Sequence, residues 1–479
     1  MADAGSLVTG MNGRYRLLKQ LGSGGEGVVY ITDRPDLVIK IYRKPYAQME
    51  RKLKSMLQYP LEPKADGSHL LIAWPQDIIY ENGSFVGYAM PYVMDTYPIY
   101  TVCRNNEKHI KDCHAVFPQY DWRYSLMVAY HLAWTVSYIH DHGYVVGDMN
   151  SNNIVIHSDG TVTILDVDSF DVTNPKTGEH FPCGVGIGEF LAPELQGRNL
   201  RNARFTRHTD EFSLAIHIFI LLMNNTHPFT LRCLTPGEMS QDNVHTLCQE
   251  KRSVVQDRKF DNMVNGKCPF VRTIPGYGIP WPAPRMEMLP KSIQHAFRQT
   301  FTYDASTILP RAEERTSANM WRVLLYDLYR RSLGPNPDLI RCSVNPEHFY
   351  LKSRGICEYC AAEKRYASFL RGKSGWAVAI LCHNSQEEGT GPSGMLRAGH
   401  PVYVHYKVIQ GKAGKQEQMY YTWESADGFS SGLIAMNSLC SAGDSGWIRY
   451  PDPPACSHTV SIFDSNHNLL ASDSFSTYP

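Results

Sequence analysis

The sequence lacks an excess of charge of either sign, since Lys and Arg total 47 and Asp and Glu also total 47. This balance argues against binding to nucleic acid or to an acidic membrane surface through overall charge. The N-terminal residues MADAGSLVTG lack the basic and apolar regions of a secretory signal. The longest apolar run, residues 214–223, is too short to span a bilayer and contains His217, which is typical of a buried helix.

A regular cysteine framework is also missing, because the 12 cysteines are scattered along the chain. Together with the missing signal, this scatter predicts reduced thiols and a cytoplasmic location, with no membrane partner. A length of 479 residues predicts two or three domains. Hydrophobic and charged fractions of 43% and 20% indicate that these domains are soluble and globular.

Residues 145–170 carry two acids and an amide in a pattern suited to metal chemistry. Asp148 and Asn153 lie five residues apart, and Asp166 follows 13 residues later. Alternating apolar segments flank the turn His157-Ser158-Asp159-Gly160, which predicts a β-hairpin that returns Asp166 to the side of Asn153. Their oxygens suit Mg²⁺, while Asp148 would face an attacking hydroxyl. The alternative is a surface hairpin in which these side chains cap turns.

A glycine-rich segment, residues 15–31, holds Gly22, Gly24 and Gly27 between two apolar runs. Glycines at this spacing allow backbone N–H groups to approach phosphates without an intervening Cβ. A glycine-rich hairpin or a dinucleotide-binding turn would share the pattern, but a dinucleotide site requires a helix directly after the glycines. Here Val28-Val29-Tyr30-Ile31 follows and predicts a strand.

Lys40 lies within the next β-branched run, residues 37–41. A lysine among buried aliphatic residues is costly unless its ammonium group meets anions. An edge lysine that reaches solvent is the alternative, but the position after a glycine-rich loop favours a phosphate contact. The following residues 47–57 predict a helix that carries Glu50.

These motifs, in this order, resemble those of eukaryotic-like protein kinases. The resemblance implies that Asp148 is the catalytic aspartate and that Asn153 and Asp166 bind Mg²⁺ or Mn²⁺. It implies that Lys40 holds the α- and β-phosphates of ATP and pairs with Glu50. In a kinase Met90 would be the gatekeeper, and the backbone after it would bind the adenine edge. The implied ATP-binding residues are Gly22, Gly24, Gly27, Val29, Lys40, Met90, Pro91, Tyr92 and Val93.

Three further motifs, later in the chain, also resemble those of protein kinases. Ala192-Pro193-Glu194 would close the activation segment, Asp210 would anchor the catalytic loop, and Arg315 would form a buried salt bridge with Glu194. The resemblance covers about residues 13–333 and implies an α+β, two-lobed protein-kinase fold. Its N-lobe would span about residues 13–93 and its C-lobe about residues 94–333.

The sequence departs from the kinase pattern at several positions. Val146-Gly147 replaces the usual His-Arg, so we expect a non-RD kinase with no basic partner for a phosphorylated activation loop. Asn150 replaces the usual lysine, and Ile187 replaces the usual threonine. The metal-binding triplet is Asp166-Val167-Asp168, in which Asp168 would either cap the turn or lie near a second metal.

Four segments, IAWPQDIIY, GYAMPYV, GDMNSNN and LDVDSF, resemble a narrower group of bacterial kinases. Those kinases are encoded beside a PP2C-type phosphatase and a von Willebrand A-type protein in stress or tellurite-resistance clusters. The resemblance therefore implies these two proteins as partners.

A metal-binding module of about residues 338–371 is predicted after the proline-containing linker 332–337. Cys342, His348, Cys357 and Cys360 are separated by five, eight and two residues, which suits a closed structural Zn²⁺ site. The alternatives are unligated cysteines in a loop or a redox Cys-x-x-Cys pair. Residues 341–373 hold seven basic and three acidic residues, a mild excess that a solvated face explains without nucleic acid.

Residues 374–479 change to short alternating apolar segments separated by turn residues, which predicts an all-β, immunoglobulin-like sandwich. Its work would be recognition or docking, since it carries no catalytic grouping. The predicted strands span residues 376–381, 402–409, 419–424, 447–450, 460–463 and 469–475.

The sequence thus predicts an ATP-dependent serine/threonine protein kinase whose substrates are proteins, this chain included. The rival hypothesis is a pseudokinase, a nucleotide-binding scaffold that signals through its conformation and C-terminal domain. Retention of Lys40, Asp148, Asn153 and Asp166 favours the enzyme. Loss of the usual lysine and threonine favours the scaffold.

Overall fold

The computed structural model describes residues 3–478 except 63–68, 103–112, 234–258, 281–282, 310, 374–375, 384–395, 398, 412–413, 426–428, 466 and 468. The described residues form two compact units. The first comprises those of Met1–Phe229, Met263–Arg272 and Pro284–Glu358. The second comprises those of Thr230–Asn262, Thr273–Ala283 and Tyr359–Pro479.

A closed barrel with the strand order β1-β2-β3-β4-β6-β5 begins the first unit, and one helix, α1, follows β4. Alternate side chains fill the barrel, while the β-branched strand β4 is buried along its whole length. Helix α1 packs through the buried side chains of Leu53 and Met56. The elements are β1 Leu7–Gly10, β2 Gly13–Ser23, β3 Gly27–Thr32, β4 Leu37–Tyr42, α1 Ala47–Gln58, β5 Asp77–Glu81 and β6 Ser84–Pro91.

Strand β1 closes the barrel by pairing with both β2 and β5. The buried carboxylate of Asp77 accepts hydrogen bonds from the Met11 and Asn12 backbone N–H groups at 2.8 and 2.9 Å and from the Tyr15 hydroxyl at 2.7 Å. The predicted lobe boundary at residue 13 leaves this strand out. The sequence gives little sign of it, because Val8 is its one fully buried residue.

Among the described residues of 94–333, the two long helices α2 and α3 are buried over most of their surface. Asp121 caps α2 by accepting from the Arg123 N–H, and Thr206 and Thr209 form a capping box on α3. In chain order the elements are β7 Thr96–Pro98, α2 Trp122–Asp141, β8 Ile154–His157, β9 Val162–Ile164, β10 Val172–Thr173, β11 His180–Phe181, α3 Arg207–Leu222, β12 Arg232–Cys233, α4 Lys259–Val264, β13 Tyr277–Gly278, α5 Lys291–Phe301 and α6 Ala318–Arg330.

The predicted hairpin is confirmed as β8 and β9, which pair from Ile154 opposite Ile164 and form a sheet with β7. Its turn is closed by the Gly160 N–H, which donates to the His157 carbonyl at 3.0 Å. Gly160 has a φ of +83°, a conformation that favours glycine.

A second hairpin near the end of the first unit packs against the start of α2. It consists of β14 Leu339–Arg341 and β15 Phe349–Leu351. The Arg341 guanidinium lies 3.0 Å from the Asp121 carboxylate, and the Trp122 N–H donates to the Glu347 carbonyl at 2.9 Å. The module predicted for residues 338–371 therefore contacts the kinase-like residues through its first half.

The second unit contains the β12–β13 pair and two sheets, ordered β16-β18-β21 and β17-β23-β22-β19-β20. One hydrophobic core holds side chains from both sheets, including Val404 and Val460. All six predicted strands overlap observed ones. The remaining elements are α7 Glu358–Lys373, β16 Ala377–His383, β17 Leu396–Arg397, β18 Val402–Gln410, β19 Tyr420–Ser425, β20 Ile434–Ala435, β21 Ser445–Tyr450, β22 Ser457–Phe463 and β23 Leu469–Tyr478. None of the described helices is long and apolar enough to cross a bilayer.

The predicted salt bridge between Arg315 and Glu194 is confirmed. The guanidinium binds both carboxylate oxygens at 2.7 and 2.8 Å, and it also donates to the His208 carbonyl at 2.8 Å. The exposed fractions of the two side chains are 2% and 8%, so the pair is almost fully removed from water.

We expect Arg315→Ala to lower the free energy of unfolding by about 3–5 kcal/mol, because it leaves the Glu194 carboxylate buried without its cation. Urea unfolding followed by tryptophan fluorescence measures this loss. Arg322→Ala is the matched control, since Arg322 hydrogen-bonds the neutral, exposed Asn319 side chain and its removal leaves no buried charge behind. It should change stability by about 0.5 kcal/mol at most. Equal effects of the two variants would contradict the prediction.

Candidate active site

Asp210, on α3, holds the loop that carries Asp148. The Asp210 carboxylate accepts from the Val146 and Gly147 N–H groups at 2.7 and 2.9 Å, and His140 Nε2 lies 2.9 Å from it. The predicted anchoring role of Asp210 is thus confirmed. Gly147 has a φ of +76°, and a Cβ there would lie 2.8 Å from the Cys183 sulfur. The arginine that protein kinases usually have directly before the catalytic aspartate therefore has no room at position 147.

His217 supports the same loop, a role that the sequence did not reveal. Its Nε2 lies 2.7 Å from the Met149 carbonyl, its Nδ1 lies 2.9 Å from the Tyr100 hydroxyl, and its ring stacks on Phe190. Burial lowers the pKa of His217 to about 4, so the ring is neutral. Because a carbonyl only accepts, Nε2 carries the proton and Nδ1 accepts from Tyr100. The sequence does offer one sign of this role, because His217 is the one histidine in the otherwise apolar run of residues 214–223.

Asp148 lies between two amides. Asn150 Nδ2 donates to its Oδ2 at 2.8 Å, and Asn153 Nδ2 donates to its backbone carbonyl at 3.1 Å and to Oδ2 at 3.4 Å. Burial raises the pKa of Asp148 to about 6, although the amide hydrogen bonds oppose this shift. Asn150 therefore replaces the usual lysine with a neutral donor, which leaves Asp148 a stronger base.

Asp166 and Asn153 are neighbours, as the hairpin predicted, because the Leu165 N–H donates to the Asn153 carbonyl at 2.8 Å. Asp166 has a left-handed φ of 53°, and its Oδ1 lies 2.5 Å from Lys40 Nζ. Burial, together with the nearby Asp168 charge, raises the pKa of Asp166, and Lys40 opposes the rise. Carboxylate and amide oxygens are hard ligands, so Asp166 and Asn153 suit Mg²⁺ or Mn²⁺.

Lys40 does not pair with Glu50, and this expectation is corrected. Lys40 Nζ binds Asp166 at 2.5 Å and Asp168 at 2.9 Å, and it lies 3.9 Å from Glu26. Glu50 instead binds Lys54 at 2.6 Å and the Tyr80 hydroxyl at 2.8 Å. The helical phase of α1 turns Glu50 toward Lys54, one turn further along the same helix.

The three predicted loop glycines have different surroundings. A Cβ on Gly27 would lie 2.5 Å from the Ile41 carbonyl, so Gly27 allows β3 to approach β4. A Cβ on Gly22 or Gly24 would meet nothing within 4 Å, which leaves space for phosphate groups beside the loop. Val29, on β3, pairs directly with Lys40 on β4.

The predicted adenine-binding segment follows β6. Met90 and Pro91 pair with Val38 and Leu37 on β4, which fixes the end of the strand. The Tyr92 N–H donates to the Asp36 carbonyl at 2.8 Å. Since proline has no N–H, the donor that remains in this segment for an adenine is that of Val93.

Three of the four predicted zinc ligands converge in the first unit. The sulfurs of Cys342 and Cys357 lie within 4.8 Å of each other, and His348 Nδ1 lies 3.7 Å from the Cys357 sulfur. The Val344 N–H points at the Cys342 sulfur, 3.4 Å away. Cys360 is buried on α7, three residues after Cys357, and belongs to the second unit. Thiolate and imidazole ligands of this kind suit zinc.

Two similar proteins are the kinases named YegI. Protein kinase YegI of Escherichia coli O157:H7 is 30% identical over 353 residues, which cover 72% of this chain and 49% of that protein. Protein kinase YegI of Escherichia coli strain K12 is 30% identical over 353 residues, covering 72% and 48%. The chain thus spans about half the length of these curated relatives.

A more distant relative is serine/threonine-protein kinase PknD of Chlamydia felis, 25% identical over 234 residues, with coverage of 44% of this chain and 24% of that protein. Residues 15–265 match the protein kinase domain family, and this match begins before the glycine-rich loop and extends past Asp210. Because it takes in more than half of the sequence and every loop of the cleft, the chain belongs to the protein kinase family.

Proposed function

We propose that this chain is an ATP-dependent kinase that phosphorylates serine and threonine hydroxyls of proteins, itself included. The observation that carries the proposal is the connected set of Asp148, Asn153, Asp166 and Lys40, which hydrogen bonds link across the cleft. The name of the PknD relative supports the choice of serine and threonine.

Each residue of this set has a distinct task in phosphoryl transfer. Asn153 and Asp166 would hold Mg²⁺, and Lys40 and the glycine-rich loop would position the phosphates. Asp148 would accept the proton of the substrate hydroxyl as that oxygen bonds to phosphorus. Bound Mg-ATP supplies the phosphoryl group and neutralises charge on its oxygens. The chain itself contributes positioning and a base.

We also propose that the enzyme is of the non-RD type. Gly147 leaves no side chain beside the catalytic aspartate, so a phosphorylated activation loop would have no arginine to bind there. Activity would then not depend on activation-loop phosphorylation.

The C-terminal unit is proposed as an immunoglobulin-like recognition domain, because its two sheets share one core. Its predicted start at residue 374 lies outside the described residues. The proposed cytoplasmic location and the proposed PP2C and von Willebrand A-type partners rest on the sequence resemblance.

The enzyme is tested by incubating the protein with labelled Mg-ATP and a generic protein substrate, beside Asp148→Ala and Asp166→Ala. We expect each variant to lose about 100-fold or more in rate, as removal of a general base or a metal ligand implies. Asp304→Ala is the control, since Asp304 only caps an exposed turn through Ser306 and Thr307. ATP binding without transfer above the Asp148→Ala level would favour the scaffold.

The pH profile tests Asp148 as the base. Because its pKa is raised to about 6, kcat/KM should be constant above that pH and fall about tenfold per unit below it, where the carboxyl is protonated. Asn150→Ala removes a hydrogen bond that stabilises the carboxylate, so it should move this acidic limb to higher pH. A limb that stays in place in Asn150→Ala would assign it to another group.

We further propose that Cys342, His348, Cys357 and Cys360 bind one structural Zn²⁺. The convergence of the first three side chains supports three ligands, and the Cys-x-x-Cys spacing supports the fourth. Zinc would stabilise the β14–β15 hairpin that packs on α2.

Metal analysis of the purified protein should give about one zinc per chain, and Cys357→Ser should lose most of it. The matched control is Cys268→Ser, which removes a buried thiol far along the chain from the predicted module. We expect the control to keep its zinc. Unchanged zinc in Cys357→Ser would eliminate Cys357 as a ligand.

A further inference from the structure

The side chain of Asp168 is enclosed by hydrogen-bond donors. Lys40 Nζ donates to its Oδ1 and Oδ2 at 3.0 and 2.9 Å, the Tyr88 hydroxyl donates to Oδ1 at 2.8 Å, and the Tyr42 hydroxyl donates to Oδ2 at 2.6 Å. Only 3% of the side chain is exposed. Burial opposes its ionisation, but the Lys40 charge and these hydrogen bonds lower the pKa of Asp168 to about 2.

Neither role expected for Asp168 from the sequence agrees with these contacts. The turn is capped by Ser169, whose N–H and hydroxyl both donate to the Asp166 carbonyl, at 3.0 and 2.7 Å. A carboxylate offers about four lone-pair sites, and the four donor contacts already occupy them. Asp168 therefore has no oxygen lone pair left for a metal ion.

The donors to Asp168 lie on one face of the barrel because of strand geometry. Lys40 and Tyr42 are two residues apart on β4 and point the same way, and Tyr88 pairs with Lys40 across β4 and β6. One cation and two hydroxyls thus form a preformed site for an anionic side chain. Helix α1 contributes a cation at this point, since Lys52 Nζ donates to the Asp168 carbonyl at 2.6 Å.

We propose that Asp168 is the positioning residue for Lys40 and performs the task that the resemblance assigned to Glu50. Lys40 would keep Asp168 as its anchor while Asp166, two residues earlier, is available to the metal. The placement of Lys40 then depends on the metal-binding loop and not on an acid from α1. The kinetic part of this inference rests on the proposed kinase function.

Steady-state kinetics separate the two candidate partners. Asp168→Asn keeps the shape but loses the charge, so kcat/KM for ATP should fall about tenfold or more, mainly through a higher KM. Glu50→Gln should stay within about twofold of the natural protein, as should the exposed-turn control Asp304→Asn. A loss in Glu50→Gln equal to that in Asp168→Asn would overturn the assignment.

A second readout needs no phosphoryl transfer. Calorimetric binding of a non-hydrolysable ATP analogue with Mg²⁺ reports the placement of Lys40 without turnover. Asp168→Asn should raise the Kd of the analogue about tenfold. The same change in a Lys40→Met background should add little, because the lysine that Asp168 positions is then absent. Glu50→Gln should leave the Kd unchanged.

The two readouts distinguish the two proposals. A higher Kd in Asp168→Asn that disappears in the Lys40→Met background, without any transfer by the natural protein, would refute the kinase function and keep the assignment of Asp168. Normal transfer with an unchanged Kd in Asp168→Asn would refute the assignment alone. Tyr88→Phe and Tyr42→Phe each remove one donor to Asp168 and replace Asp168→Asn if that variant does not fold. Each should raise the Kd by less than Asp168→Asn, and an unchanged Kd in both would overturn the assignment.

Discussion

The contact of Lys40 with Asp166 and Asp168 is the constraint on which the first unit depends. Burial of an ammonium group costs free energy that anionic partners offset, and removal of one partner of such a pair typically costs about 3–5 kcal/mol. Lys40 belongs to the barrel, whereas Asp166 and Asp168 follow β9 in the helical part. This one ionic cluster therefore fixes the two parts of the cleft against each other.

Hydrogen bonds hold the loop that carries Asp148. The catalytic loop is fixed by backbone bonds to Asp210 and by the neutral ring of His217, and Asn150 supplies an amide where a lysine is usual. A lysine at that position would lower the pKa of Asp148, whereas an amide leaves burial as the dominant effect. The loss of the usual lysine thus changes the pKa of Asp148 and leaves the loop supported by Asp210 and His217.

Local patterns in the sequence were sufficient to predict a feature in two cases. Either its two halves are close together in the chain, or apolar and polar residues alternate regularly along it. The β8–β9 hairpin follows from alternation and one glycine, and the six predicted C-terminal strands follow from period-two patterns. The partner of Lys40 could not be predicted in this way. Whether an acid of α1 reaches Lys40 depends on which side of the helix faces the cleft. Glu50 and Lys52 are both polar, so the sequence does not distinguish them, and only the packed structure shows that Lys52 faces inward. Strand β1 escaped detection because it buries a single residue fully.

Helix α2 connects the proposed zinc module to the catalytic loop. At its start, the Asp121 carboxylate binds both Arg123 and Arg341, so the β14–β15 hairpin is attached to the helix cap. At its end, His140 contacts Asp210, which holds the catalytic loop. A largely buried helix that is held at both ends thus positions Asp210 and, through it, the backbone of the loop that carries Asp148. The hairpin therefore belongs to the framework of the cleft, and a metal that orders the hairpin would stabilise that framework from outside the site.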